Sequence, residues 1–239
     1  MATSGTVTAI TRYPVKSMRG EALAEAVVAL HGIPGDRQYA FVRDGDTSVF
    51  PWLTAKRLPA LVTYQPVWEV VEGAAARLRV IGAGGVVWAV DDPGLAAELG
   101  RLGKHAVHLH ADYRGNQDVA YISVISTATI RALCEAGGVA VDQRRFRMNL
   151  VVDLGDEPFA EMAWVGRTVT AGEATFVVTE PDARCQSLNL DPETGASTPA
   201  VLKAAGELNK VCAGVYASVA RGGRVAVGDA CMLGLSPTH

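Results

Sequence analysis

The chain has 239 residues, of which 49% are hydrophobic and 20% charged, a composition typical of a folded globular protein. Its 22 Lys and Arg side chains nearly balance 25 Asp and Glu, and the net charge of −3 does not favour binding to nucleic acid or to anionic membranes. No stretch approaches the roughly 18 uninterrupted apolar residues of a membrane span, and the first residues do not resemble a secretory signal. We therefore expect a cytoplasmic protein that binds neither nucleic acid nor membranes.

The first ninety residues predict β structure. Short apolar or alternating runs are separated by Gly, Pro and Asp, as in strands joined by tight turns. Asp44-Gly45 lies between two such runs and is a strong hairpin signal. Strands are predicted at residues 7–10, 26–30, 38–42, 47–50, 61–64, 67–71, 78–81 and 86–90. Several short strands with regular turns indicate a barrel or a sandwich.

From residue 92 onward, helices alternate with strands. Asp92-Pro93 predicts the start of a helix over 93–102, and Ser126 predicts the cap of a helix over 127–136. Thr198-Pro199 predicts a third helix, over 198–208. Strands are predicted at residues 106–110, 119–125, 149–153, 167–171 and 175–179, with a final hairpin of 216–220 and 225–227 around Gly222-Gly223. The pattern predicts a mixed α+β, β-rich fold.

The cysteines Cys134, Cys185, Cys212 and Cys231 include no C-x-x-C pair and no zinc-like or iron–sulfur spacing. Three of them are expected to be small core residues. Cys185 differs because it follows Arg184 on a Pro-containing loop, and a neighbouring guanidinium favours the thiolate, the form that binds soft metals. A buried structural thiol is the alternative interpretation of Cys185.

Two further segments carry groups suited to an anion. Lys16 and Ser17 follow Pro14 on a rigid loop. Arg147 and Asn149 lie at the predicted start of a strand, where side chains two residues apart face the same way. Together with Arg184-Cys185, these segments indicate a site for a phosphorylated, metal-carrying ligand.

Seven segments in this order carry a family resemblance: Tyr13-Pro-Val-Lys-Ser-Met-Arg-Gly20, Gly35-Asp-Arg37, Ile125-Ser-Thr-Ala-Thr-Ile130, Arg145-Phe-Arg-Met-Asn149, Ala183-Arg-Cys185, Asp191-Pro-Glu-Thr-Gly195 and Gly223-Arg-Val-Ala-Val-Gly-Asp229. Through them, nearly the whole chain resembles the MOSC family, specifically the members with an N-terminal MOSC β-barrel domain. These include the mitochondrial amidoxime-reducing component and its bacterial relatives. The resemblance implies an N-terminal β-barrel domain at residues 1–112, packed on a MOSC β-barrel with peripheral helices at residues 113–239.

The resemblance also implies a pyranopterin molybdenum cofactor between the two barrels. Cys185 matches the catalytic thiolate that ligates molybdenum. The positions that hold the pterin and its phosphate are matched by Lys16, Ser17, Arg37, Arg147, Asn149 and Arg184. Val119 and Ala120 stand where relatives have a polar Thr/Ser pair, so one phosphate contact is lost or passes to Ser123, Ser126 or Thr127. Met148 stands where a proline is usual.

The function that the resemblance implies is a molybdenum-dependent oxidoreductase that reduces N-hydroxylated compounds such as amidoximes and hydroxylamines. The chain contains no iron–sulfur or flavin motif, so the two electrons are expected from a separate reductase or small electron carrier. Two alternatives stay open. Cys185 could carry a persulfide and deliver sulfur, or the chain could bind or carry the molybdenum cofactor without turnover.

Overall fold

The structure, a computed structural model, describes residues 4–69 and 76–234. Its strands and helices are β1 Ser4–Arg12, β2 Glu21–Leu23, β3 Glu25–Val28, β4 Tyr39–Arg43, β5 Gln65–Glu69, β6 Arg77–Ile81, β7 Val87–Ala89, α1 Pro93–Gly103, β8 Val107–Ala111, β9 Ile122–Ser126, α2 Thr127–Ala136, β10 Leu150–Asp153, β11 Thr168–Ala171, β12 Ala174–Ala183, α3 Ala200–Asn209, β13 Cys212–Arg221, β14 Gly223–Ala226 and β15 Ala230–Leu233. Within these ranges, no helix is long and apolar enough to span a membrane.

A closed seven-stranded barrel forms one half of the molecule. Its strands run in the order β1-β10-β9-β13-β12-β11-β15 and return to β1. All neighbours are antiparallel except β9 and β10, which are parallel. Buried side chains such as Ile10, Val124, Phe176 and Val215 belong to one hydrophobic core of this barrel. The β-rich fold predicted from the sequence is confirmed.

Two small antiparallel sheets and one helix form the other half. Strand β4 pairs with β8, while β5, β6 and β7 form a second sheet. Helix α1 begins as predicted, because the Asp92 side chain accepts a hydrogen bond of 2.7 Å from Gly94 N and Pro93 follows it. Leu95 and Leu99, four residues apart, bury the same face of α1 in this second core.

Helices α2 and α3 pack against each other outside the barrel. Ser126 caps α2 as predicted, because its Oγ accepts a hydrogen bond of 3.1 Å from Thr129 N. The buried faces of both helices lie against Phe146 and Leu188. These contacts fix the loops that contain residues 147 and 185. Both loops contribute residues to the candidate site.

Two strands predicted in the first half are wrong. Residues 61–64 belong to a turn of 3-10 helix at Pro59–Thr63, where Pro59 supplies a helical φ and Tyr64 N donates to Leu61 O at 3.1 Å. Residues 47–50 form no strand, because the Asp46 side chain accepts a hydrogen bond from Ser48 N and holds a local turn. The chain does double back after Asp44-Gly45, but Trp52 is the residue that pairs with β4.

The predicted hairpin around Gly222-Gly223 is also wrong. A two-residue hairpin turn needs positive φ, and neither glycine has it. The glycines instead permit close approach, since a Cβ on Gly222 would lie 2.5 Å from Val28 O. Strand β14 therefore leaves β13 and pairs with β3.

Other predicted boundaries shift. The strand predicted at 119–125 begins only at Ile122, and Val119 is exposed. The strand predicted at 67–71 corresponds to β5, with residues 70 and 71 outside the described ranges. Strand β1 completes the barrel made by strands of the second half, so the two halves share the chain's first strand. The division of the chain at residue 112 stays a prediction.

Candidate functional site

A cavity of about 470 Å³ lies where loops of the two halves meet. The first half contributes Lys16, Ser17, Arg37 and Lys56, and the second half contributes the segments around residues 118, 147, 180–187 and 216. Five cationic side chains line it, against three carboxylates. Its walls therefore favour an anionic ligand.

Six of the seven site residues predicted from the sequence line this cavity, although they lie far apart in the chain. They are Lys16, Ser17, Arg37, Arg147, Arg184 and Cys185. Asn149, the seventh, is buried behind the wall. The strand argument that paired Arg147 with Asn149 is wrong, because β10 begins at Leu150 and Arg147 has a left-handed backbone with φ of 55°.

Two arginines enclose the ring of Tyr13. The guanidinium carbon of Arg147 lies 4.6 Å from the ring centroid, and that of Arg37 lies 4.8 Å from it. Arg37 pairs with the buried carboxylate of Asp36 and donates to Arg147 O at 3.0 Å. Arg37 is thus held rigidly by a neighbour that balances its charge.

Arg147 has no such neighbour. It donates to Met18 O at 2.6 Å, and among the described residues it forms no ion pair. Burial, reinforced by the nearby charge of Arg37, lowers the pKa of Arg147 to about 10. A cation whose charge is not balanced by protein, at the wall of a cavity, is suited to hold an anion there.

Lys16 is buried in the wall of the cavity. Its Nζ donates to Asn116 O at 2.6 Å and to Asp118 Oδ1 at 2.5 Å. The rings of Phe50 and Trp52 lie within 6 Å of the ammonium group (5.6 and 5.8 Å). Burial lowers the pKa of Lys16, although Asp118 opposes this effect. The charge of Lys16 is therefore partly balanced by Asp118, and its side chain is fixed in position.

Cys185 lies at the rim of the cavity, directly after β12. Its side chain is exposed, and Sγ lies 3.1 Å from Ser187 Oγ. The guanidinium of Arg184 pairs with buried Asp182 and donates to Phe146 O at 2.5 Å. The charge of Arg184 is thus balanced by Asp182, and its contacts anchor the loop that presents the thiol.

The other cysteines differ from Cys185. Cys134 and Cys231 are buried as predicted, and burial raises the pKa of Cys134 and raises that of Cys231 to about 12. Cys212 is only half-buried at the start of β13, so its prediction as a core residue is wrong. Of the four thiols, Cys185 alone lines the cationic cavity.

The two apolar positions noted in the sequence lie close to the cavity. Val119 is exposed and lines it, as does the hydroxyl-bearing Ser123 from β9. Ser126 is buried and caps α2, while Thr127 lines a different surface depression. Of the three hydroxyl residues suggested as substitutes, only Ser123 is placed to contact a ligand.

Tyr216 and Asp182 are among the lining residues that were not predicted from the sequence. Tyr216 on β13 hydrogen-bonds to Asp182, and burial raises the pKa of both groups. The pairing arises from the register of β12 against β13, in which Glu180 opposes Tyr216. No local pattern signals such a contact, because the two residues are far apart in the chain.

Comparison with known proteins identifies the family. The MOSC domain model matches residues 110–232, and the MOSC N-terminal beta barrel domain model matches residues 4–98. The chain belongs to the MOSC family. This family, which takes in the C-terminal domain of molybdenum cofactor sulfurase, includes enzymes associated with the molybdenum cofactor. No curated protein sequence matches the chain significantly.

Similarity to a solved structure over nearly the whole chain supports the fold. The YuaD protein of Bacillus subtilis is similar over 98% of this chain and 97% of its own, with a TM-score of 0.52 and 11% identity. YiiM from Geobacillus stearothermophilus is similar over 48% of this chain and 54% of its own, with a TM-score of 0.39 and 20% identity. YiiM from Escherichia coli has a TM-score of 0.37 and 19% identity over 50% of this chain and 56% of its own.

The residues of this MOSC protein fit the cofactor that is associated with its family. A phosphorylated pterin is anionic, and Arg147 offers it a cation that forms no ion pair with a described carboxylate. The metal prefers soft sulfur, and Cys185 offers an exposed thiol. Among the described residues, no group of three or more His, Cys, Asp and Glu side chains could hold a bare ion. The donor set therefore suits a metal that arrives with ligands of its own.

Replacing Asn149 should destabilise the fold. Its Oδ1 accepts from Ser123 Oγ at 3.0 Å and from Ser123 N at 3.3 Å, and its Nδ2 donates to Thr11 O at 3.2 Å. Asn149→Ala leaves buried partners unsatisfied, and the free energy of unfolding should fall by about 1–3 kcal/mol. Urea unfolding of the cofactor-free protein measures this loss. Exposed Gln186→Ala is the control and should change stability by less than about 0.5 kcal/mol. Equal stabilities would refute the supporting role of Asn149.

Proposed function

We propose that this MOSC protein is a molybdenum-cofactor-dependent oxidoreductase that reduces N-hydroxylated compounds, such as amidoximes or hydroxylamines. The observation that carries the proposal is the cationic cavity, which combines the unbalanced guanidinium of Arg147 with the exposed thiol of Cys185. When bound, the molybdenum cofactor supplies two-electron chemistry at a metal that accepts soft sulfur ligands.

Each residue of the cavity then has a role. Lys16, Ser17, Arg37 and Arg147 hold the anionic part of the cofactor through charge-assisted hydrogen bonds. Arg184, fixed by Asp182, positions the loop on which the Cys185 thiolate reaches the metal. Asn149 acts indirectly, by supporting Ser123 and the strand edge beneath the cavity.

The proposed reaction cleaves an N–O bond, consumes two electrons and two protons, and releases water and the reduced nitrogen compound. The electrons come from a separate donor protein. The Tyr216 hydroxyl, whose pKa burial raises, keeps its proton at the cavity wall and holds the Asp182 carboxylate by a hydrogen bond. The exposure of Cys185 leaves the reacting end of the cavity open to substrate and donor.

Lys16→Met should weaken cofactor binding while leaving the fold intact. The variant removes an ammonium group whose charge-assisted hydrogen bonds are each worth about 1.5–3 kcal/mol, so affinity should fall by about tenfold or more. Its partner Asp118 is half-exposed and regains water, whereas buried Asn116 O loses a donor, so the free energy of unfolding should fall by about 1–3 kcal/mol while the protein stays folded. Retained molybdenum after extensive dilution measures the affinity. Exposed Lys104→Met is the matched control. Equal molybdenum retention in the two variants would mean that the anionic part of the cofactor does not bind at Lys16.

Purification from a host that makes the cofactor tests the proposed function. We expect stoichiometric molybdenum, the fluorescence of oxidised pterin, and reduction of benzamidoxime with an artificial electron donor. Molybdenum without turnover on any N-hydroxylated compound would favour a carrier. Preparations that lack molybdenum but carry sulfane sulfur on Cys185 would favour sulfur delivery. Either result would overturn the proposal.

A further inference from the structure

A second, smaller cavity of about 180 Å³ adjoins the cationic one. We call it the annex. Its apolar lining residues are Ala22, Val62, Leu190 and Pro192, and its other lining residues include Thr11, Tyr13, Gln65, Gln143 and four arginines. The two cavities share Arg147 and Ser187. Because Ser187 Oγ lies 3.1 Å from Cys185 Sγ, one end of the annex lies beside the thiol proposed to bind the metal.

The charges around the annex are balanced except at this shared end. Arg19 pairs with Glu193, Arg145 pairs with Asp191, and Arg144 pairs with both Glu193 and Asp142. Arg147 is the cation at the annex that forms no ion pair with a described residue. The annex thus combines apolar walls with guanidinium groups that are mostly paired, and its one guanidinium without an ion pair to a described residue lies where it meets the cationic cavity.

The volume of the annex limits the size of the chemical group that it can hold. An apolar cavity of about 150 Å³ in another protein accommodates one benzene ring. The annex is somewhat larger, at about 180 Å³, and therefore has room for a six-membered ring that bears one small polar group. A phosphorylated pterin is too large and too highly charged for it.

We propose that the annex binds the ring of an aromatic, uncharged N-hydroxylated substrate, with its N–O group directed to the boundary at Arg147 and Ser187. This inference rests on the proposed function, since it supplies that function's substrate subsite. A neutral amidoxime can accept a hydrogen bond from Arg147. In the cofactor-free protein, where no bound anion balances Arg147, its guanidinium repels the cationic amidine, so the annex binds substrate more tightly than product.

Methyl NMR on the cofactor-free protein tests the location directly. During titration with benzamidoxime, the methyl resonances of Val62 and Thr11 should shift and saturate, whereas that of Leu95 in the other core should not. Benzamidine should bind more weakly. Absence of saturable shifts at Val62 and Thr11 would overturn the inference, whatever the variants below do.

Filling the annex gives an independent test. Ala22 is exposed on β2 and lines the annex, so Ala22→Phe occupies its space without disturbing the core. Burial of a ring is worth roughly tenfold or more in affinity, and the Kd of benzamidoxime should rise by at least about that factor. Ala24→Phe, exposed two residues further and outside the annex, should bind like the wild type. A Kd raised equally in both variants would contradict the assigned location.

The enzyme loaded with cofactor separates failure of this inference from failure of the proposed function. Ala22→Phe should keep its molybdenum and its reduction of hydroxylamine, which has no ring, while KM for benzamidoxime rises. A wild-type enzyme that reduces neither hydroxylamine nor benzamidoxime would overturn the proposed function. Unchanged KM for benzamidoxime in an active Ala22→Phe enzyme would overturn the annex alone.

Discussion

Cys185→Ser should abolish reduction of benzamidoxime while leaving the thermal transition almost unchanged. The substitution exchanges a soft sulfur donor for a harder oxygen of nearly the same size. Loss of residues that merely support metal ligands typically reduces affinity or activity by about 10–100-fold, so loss of the ligand itself should exceed about 100-fold. Stability should not change, because the Cys185 side chain is exposed and its polar contact is to Ser187. Steady-state assays with an artificial electron donor, with activity expressed per molybdenum, measure the effect.

Cys212→Ser is the matched control. Cys212 is half-buried on β13 and does not line the cationic cavity, so activity and molybdenum content should equal those of the wild type. Similar losses in both variants would point to a general sensitivity of the protein to thiol replacement. More than about a tenth of the activity surviving in Cys185→Ser would rule out this residue as the catalytic thiolate.

Arg147→Met should weaken the cofactor complex and at the same time stabilise the cofactor-free protein. Arg147 places an unbalanced charge at a protein wall, an arrangement that costs folding energy unless an anion is bound. Arg147 is only half-buried and solvent screens its charge, so the gain in unfolding free energy should be on the order of 1 kcal/mol. Cofactor affinity should fall by about tenfold or more, because a charge-assisted hydrogen bond is lost. Arg57→Met, at an exposed site, should change neither quantity.

The stability gained by Arg147→Met should depend on pH, because the pKa of Arg147 is lowered in the folded protein. The pKa of Arg147 is about 10 in the folded protein and higher when the chain is unfolded. Below pH 10 Arg147 is protonated in both the folded and the unfolded protein, and its charge destabilises the folded state to the full extent. As pH rises above about 10, the folded state releases its proton first, so the unfolded state binds more protons and stability increases. The advantage of Arg147→Met over the wild type should therefore shrink above pH 10. A difference that grows there, or a variant less stable at neutral pH, would contradict the account.

The parts of the fold that depend on local chemistry could be predicted from the sequence. Helices α1 and α2 begin where Asp92 and Ser126 supply capping oxygens, because a cap acts within three residues. The order of short motifs indicated the family. The family resemblance in turn predicted that Lys16, Arg37, Arg147 and Cys185 belong to one site. Each of these inferences needed only neighbouring residues or their order along the chain.

The parts that depend on contacts between distant segments could not be predicted. Gly222-Gly223 resembles a hairpin turn, but its conformation is fixed by the approach of Val28 from far along the chain. The sequence predicted that the guanidinium of Arg184 stabilises the thiolate of its neighbour Cys185. In the structure, this guanidinium instead pairs with buried Asp182 and donates a hydrogen bond to Phe146 O. The enclosure of Tyr13 between Arg37 and Arg147 likewise exists only once both halves of the molecule have folded.

X-ray absorption at the molybdenum edge tests the central claim most directly, because it reports the metal's sulfur neighbours without relying on turnover. Wild type and Cys185→Ser should be purified from the same cofactor-producing host and compared at equal molybdenum content. We expect the variant to lose one sulfur scatterer and to gain one lighter scatterer, because we propose the Cys185 thiolate as the protein's ligand to the metal. Identical sulfur shells in the two proteins would contradict the assignment of Cys185 as that ligand.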